Sequence, residues 1–137
     1  MSTVLLDTGP LVAYLISGEE HHSWAVTQFA ALTDPVLTCE PVWAEASHLL
    51  LKRGANPDTL WTVLRKNVVK FAFHLDTDYE PVAALMRRYA DVPMSLADAC
   101  LVRMSELNRD CRVFTADGHF KIYRRFGRQM IPLICPA

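Results

Sequence analysis

Cysteine is sparse and unpaired in this chain. Cys39, Cys100, Cys111 and Cys135 stand far apart, with no C-x-x-C pair and no histidine at zinc-finger spacing. That excludes a finger-type zinc site and leaves reduced, mostly buried thiols as the expected state. Long apolar runs are also missing, since none approaches the roughly 20 residues that cross a bilayer. No basic stretch precedes an apolar one near the N-terminus, so a cytoplasmic protein is expected. Nor is there an excess of one charge: 14 basic against 15 acidic residues leave a formal net charge of −1. The whole molecule therefore exerts no pull on nucleic acid or membrane, and any polyanion must be held by a local patch. Repeats and low-complexity segments are absent. With 51% hydrophobic and 21% charged residues, disorder is excluded. Residues 1–137 are expected to form a single domain, which buries roughly two thirds of its unfolded surface.

What the chain does have is acid in apolar places. Asp7 closes the run Val4-Leu5-Leu6, Glu45 lies within Trp43-Ala44-Glu45-Ala46, Asp98 within Leu96-Ala97-Asp98-Ala99, and Asp117 follows Val113-Phe114-Thr115-Ala116. Removing an unpaired carboxylate from water costs several kcal/mol even after relaxation, roughly 3 or more. No lysine or arginine lies within four residues of Asp7, Asp98 or Asp117 except Lys121. If the fold gathers these four acids, the missing positive charge is most simply a bound metal ion.

The hydrophobic pattern predicts alternating strands and helices. Strands are expected at Thr3–Leu6, Pro35–Thr38, Val68–His74, Arg112–Thr115 and Gln129–Ile134. Helices are expected from Gly9-Pro10 to about Ser17, then at His22–Leu32, Val42–Lys52, Asp58–Asn67, Thr77–Tyr89 and Ser95–Leu107. Such alternation argues for an α/β fold, a parallel sheet covered by helices. Ligands of such sheets bind beyond the carboxyl ends of the strands, where strand order reverses. Asp7 and Asp117 each follow a strand directly and so belong to that rim. Glu45 lies three residues after Val42 and four before Leu49, and Asp98 three before Leu101, which places both on apolar helical faces.

Each acid also has a structural reading. Asp7 and Asp117 can cap helices, and Ser95-x-x-Asp98 has the spacing of a capping box. The four in order are more telling than any one. Leu5-Leu6-Asp7-Thr8-Gly9-Pro10, Pro41-Val42-Trp43-Ala44-Glu45, Met94-Ser95-Leu96-Ala97-Asp98 and Phe114-Thr115-Ala116-Asp117-Gly118-His119-Phe120 resemble, in sequence, the four acidic motifs of the PIN domain family. The resemblance runs from Val4 to about Ile134. It implies a three-layer α/β/α fold with a five-stranded parallel sheet. The stand-alone size resembles the VapC-like toxin ribonucleases of type II toxin–antitoxin modules.

Oxygen-only ligands favour Mg2+ or Mn2+, whereas zinc calls for histidine or cysteine. Carboxylate-held ions polarise a phosphodiester and stabilise its leaving oxygen, with paired ions about 3.5 to 4 Å apart. Phosphodiester hydrolysis is thus the expected reaction, with one or two Mg2+ or Mn2+ ions, and the resemblance implies that it is endoribonucleolytic. Asp7 and Asp98 are the expected main metal ligands, Asp117 a ligand or water-mediated orienter, and Glu45 a ligand or general base. Thr115 is a candidate to hold a metal-bound water, and Thr8 to orient Asp7. Ser95 stands where similar proteins can carry another acid, which bears on the second metal. His119 and the pair His21-His22 read as loop residues.

Lys121, Arg124, Arg125 and Arg128 fall at i, i+3, i+4 and i+7, with no acid after Asp117. A helical stripe of this kind would hold RNA phosphates, although Gly127 marks a place where the helix can stop. Leu11, Val12, Tyr14, Leu15, Trp24 and Phe29 exceed the obvious needs of a small core, and relatives commonly pair. A homodimer with a groove for an antitoxin segment is therefore expected. Two other functions stay open: an inactive PIN-like scaffold, or a housekeeping RNA-processing nuclease. A phosphoaspartate receiver or haloacid-dehalogenase-like phosphatase fits less well, because Asp7-Thr8-Gly9 supplies neither adjacent acids nor Asp-x-Asp.

Overall fold

The structure is a computed structural model that describes residues 2–137. Five strands, β1 (Thr3–Leu6), β2 (Val36–Thr38), β3 (Val69–Phe71), β4 (Cys111–Phe114) and β7 (Leu133–Ile134), form one parallel sheet in the order β3-β2-β1-β4-β7. Between them run α1 (Thr8–Leu15), α2 (His22–Ala30), α3 (Glu40–Lys52), α4 (Asp58–Arg65), α5 (Leu75–Arg88) and α6 (Leu96–Leu107). Val4, Leu5 and Leu6 are all buried although successive strand residues point to opposite faces, so helices cover β1 on both sides. The chain builds outward from β1 through β2 to β3, then returns to lay β4 on the other flank of β1. The point of reversal lies between β1 and β4, whose register pairs Leu6 with Phe114. Among the described residues, no helix is long and apolar enough to cross a membrane.

Of the early apolar residues, three lie in the core and three are half-buried against it. Leu11, Val12 and Phe29 are buried, and Tyr14, Leu15 and Trp24 pack against them. Phe114 at the end of β4 receives Phe29 at 5.1 Å and Trp24 at 5.2 Å between ring centroids, and Tyr14 tilts onto Phe29 at 4.4 Å. Aromatic pairs at these separations contribute about 0.5–1.5 kcal/mol beyond their burial. Cys39, Cys100 and Cys111 are buried free thiols, and Cys135 is half-buried and free.

Two segments depart from expectation. The apolar run from Val68 forms a shorter strand, because α5 begins at Leu75. Gln129–Ile134 is not one strand: β6 (Gln129–Met130) pairs antiparallel with β5 (Arg124–Arg125), and only β7 joins the sheet. Pro132 lies at the break. It has no N–H to offer a ladder, yet its carbonyl accepts from Val113 N at 2.8 Å.

Candidate active site

The reversal point carries the acids. The backbone N–H of Asp7 continues the β1–β4 pairing by donating to Phe114 O at 2.9 Å, and its side chain then caps α1, Oδ1 accepting from Thr8 N at 2.8 Å. Its other oxygen accepts from the Thr115 hydroxyl at 2.7 Å, across 108 residues of sequence. Thr115 Oγ1 in turn accepts from Asp117 N at 2.9 Å, so one buried hydroxyl ties both strand-end acids together. The hydroxyl proton of Thr115 points to Asp7. Asp117 caps the short 3-10 turn Gly118–Lys121 through His119 N, and the exposed His119 ring stands 3.4 Å from the same carboxylate.

Asp98 enters from the first turn of α6, whose start is set by Ser95 Oγ accepting from Asp98 N at 3.0 Å. The capping reading and the site reading thus hold together, because the cap uses the backbone of Asp98 and leaves its carboxylate to the cleft. Its Oδ2 accepts from Tyr123 OH at 2.8 Å. Tyr123 is fully buried, stacked edge-on against Tyr89 at 5.1 Å and Phe120 at 5.2 Å. No local pattern marks Tyr123, since its role depends on where a single tyrosine inside a basic segment comes to rest.

Glu45 corrects an expectation. The buried stripe of α3 is Val42, Trp43, Ala46 and Leu50, and Leu49, which suggested an apolar face, is 36% exposed. Glu45 therefore stands exposed at the rim of the cleft. Thr8 Oγ1 donates to its Oε2 at 3.0 Å, so Thr8 orients Glu45 by its side chain and Asp7 by its backbone.

Asp7, Glu45, Asp98 and Asp117 all line one cleft of about 450 Å³, together with Thr8, Ser95 and His119. No lysine or arginine lines it. Burial pushes the Asp7 carboxyl from 3.8 up to about 7, with Asp98 and Asp117 adding repulsion, against the lowering effect of its two hydrogen bonds. Burial likewise raises Asp98, opposed by the Tyr123 hydroxyl and reinforced by Asp117. Among the described residues no three His, Cys, Asp or Glu side chains stand close enough to chelate one ion. Oxygen-only donors in an uncompensated negative field fit a hard cation.

The basic residues do not form a stripe. Arg125 is buried, and its Nη1 donates to Ser105 O at 3.1 Å and Arg109 O at 2.9 Å, at the carboxyl end of α6. Its guanidinium also lies 5.6 Å from the Phe126 ring centroid, so it is withdrawn from RNA contact. Arg124 Nη1 donates to the carbonyls of Lys121, Ile122 and Tyr123 at 2.7–3.1 Å. Lys121 alone of the three lines the neighbouring small hollow with His21, Ala116 and Asp117. His22 opens α2, where the loop reading had set it before the helix, and its Nδ1 donates to Ala13 O at 2.7 Å.

The PIN domain family profile matches residues 4–125, nearly the whole chain. The chain belongs to the PIN domain family. Among solved structures, VapC20 of Mycobacterium tuberculosis, described as a sarcin–ricin loop cleaving toxin, is similar with a TM-score of 0.77 and 19% identity, covering 93% of this chain and 99% of that one. A chain of a toxin–antitoxin complex from Klebsiella pneumoniae is similar with a TM-score of 0.61 and 20% identity, covering 84% and 87%. At these identities the likeness is one of fold. No curated protein matches.

Proposed function

We propose that the chain is a metal-dependent endoribonuclease that hydrolyses RNA phosphodiester bonds, acting as the toxin of a type II toxin–antitoxin module. The observation that carries this reading is the gathering of four carboxylates in one cleft that no lysine or arginine lines, at the sheet's reversal point. Family membership and the toxin neighbours support it. The Klebsiella complex supports an antitoxin partner. A homodimer rests on resemblance.

Asp7 and Asp98 would hold Mg2+ or Mn2+, and Asp117 would orient through water. The ion, when bound, would neutralise the scissile phosphate and the leaving oxygen. The protein's own groups prepare the site. Thr8 N and Thr115 fix both oxygens of Asp7, and Tyr123 fixes Asp98, so neither acid reorients as charge develops. Glu45, exposed and held by Thr8, would take the proton of an attacking water. The test is incubation with single-stranded and structured RNAs in Mg2+, Mn2+ or EDTA, beside Asp98→Asn. Cleavage that requires the ion and falls at least about 100-fold in the variant is expected. Undiminished cleavage in EDTA, or none under any condition, overturns it.

A further inference from the structure

Beside the acidic cleft, and sharing Glu45 with it, lies a hollow of different character. It is a groove of about 420 Å³ walled by Pro41, Ala44, Phe73, Leu75, Leu96 and Ala97. The two hollows are joined by the start of α6: Ser95 and Asp98 line the cleft, while Leu96 and Ala97 between them line the groove. Leu96 is 40% exposed and Ala44 is exposed, although both stand next to buried helical positions. The only charged groups on the lining are the carboxylates of Glu40 and Glu45.

That chemistry selects its occupant. Two carboxylates without a cation repel phosphate, so the RNA backbone stays out of the groove. The walls suit a flat, neutral, apolar-faced group, and the carboxylate rim suits one whose edge carries N–H donors. A strand held by its phosphate at the acids presents such a group one nucleotide away. Single-stranded RNA is read in this manner, with splayed bases packed on side chains and bonded along their Watson–Crick edge. Guanine matches a carboxylate best, because its N1–H and N2–H lie side by side and engage both oxygens. Cytosine and adenine offer one amino group. Uracil sets carbonyl oxygens on either side of its single N–H, against the carboxylate.

We propose that this groove is a nucleobase subsite, which takes the base next to the scissile phosphate and, through Glu40, favours guanine and disfavours uracil. This rests on the ribonuclease reading, but base binding can be observed without cleavage. The experiment titrates the metal-free protein with guanosine, cytidine, adenosine and uridine while the methyl resonances of Leu96 and Leu75 are followed by NMR. Guanosine is expected to shift both methyls at concentrations roughly tenfold below those uridine needs. Ala44→Trp, which fills the groove, should abolish the shifts, and Glu40→Gln should erase the preference for guanosine. In parallel, 12-mer RNAs carrying each base, or an abasic site, beside one cleavable bond should differ by roughly tenfold in single-turnover rate with wild type and converge in Ala44→Trp.

Methyls silent to every nucleoside overturn the proposal, as do shifts that survive Ala44→Trp. So does a dimer at micromolar concentration that Leu96→Glu dissociates, which would give the groove to a second copy of the chain. Nucleoside binding without cleavage of any 12-mer would instead remove the ribonuclease reading and leave the base site standing.

Discussion

Replacing Asp7 by asparagine should make the metal-free protein more stable, and only away from acid. The carboxyl is 5% exposed and titrates at about 7 against an ordinary 3.8. A folded-state pKa above the unfolded value leaves stability untouched below about pH 4. It then costs progressively more as pH rises through 7, because the unfolded chain ionises freely and the folded one does not. The difference of roughly three units corresponds to about 4 kcal/mol at pH 8, an upper bound. Asparagine keeps an oxygen for Thr8 N but turns a donor toward Thr115, whose Oγ1 already accepts from Asp117 N, and that mismatch costs about 1–2 kcal/mol. A net gain of about 2 kcal/mol is expected at pH 8, or roughly 5–8 °C in Tm for a domain of this size. At pH 4 the gain should vanish or change sign. Thermal and urea melts of both proteins in EDTA at the two pH values measure it. Added Mn2+ should reverse the order at pH 8, since an ion at 100 times its Kd stabilises wild type by about 2.7 kcal/mol and the variant far less. A variant less stable than wild type at pH 8 in EDTA, or a gain equal at both pH values, refutes the reasoning.

Tyr123→Phe should leave Asp98 Oδ2 without its buried donor, destabilise the fold by about 1–2 kcal/mol and weaken Mn2+ binding several-fold, read by melts and calorimetry. Because the lost bond lowers the Asp98 pKa, the pH at which Mn2+ begins to bind should move upward. Arg125→Met should unfold more readily by about 2–4 kcal/mol, because the Ser105 and Arg109 carbonyls lose their donor, while the salt dependence of RNA affinity per folded molecule stays as in wild type. Lys121→Ala, measured by RNA binding across a salt series with Ca2+ in place of Mg2+, should flatten that slope by about one contact without changing stability.

The acids were legible because each interrupts an apolar pattern that has a physical explanation. Asp7 and Asp117 are strand-end residues, and strand ends at a reversal point are where a parallel sheet opens. The PIN likeness added the order of the motifs and the strand count. The basic segment was not legible, since i, i+3, i+4 and i+7 spacing describes a helix only where the backbone permits one. Here Phe126 and Gly127 take φ of 53° and 82°, which turns the chain into the β5–β6 hairpin and drives Arg125 inward. Glu45 was misplaced by one side of a helix, because Leu49 was counted as core and is not. Tyr123 and the Thr115 bridge depend on contacts between distant segments, which no local pattern records.

The hydroxyl that joins Asp7 to Asp117 has a consequence in time. Thr115 is made 108 residues after Asp7 and Tyr123 25 residues after Asp98, and β4 must dock beside β1 before they reach the acids. Until then Asp7 is only a helix cap at the edge of an unfinished sheet, and Asp98 lacks the phenol that steadies it. A growing chain that stops short of β4 holds three of the four acids and Thr8, but neither the Thr115 hydroxyl nor the Tyr123 phenol. An acidic site braced across 108 residues of sequence is therefore assembled only once the later segment has been made and docked.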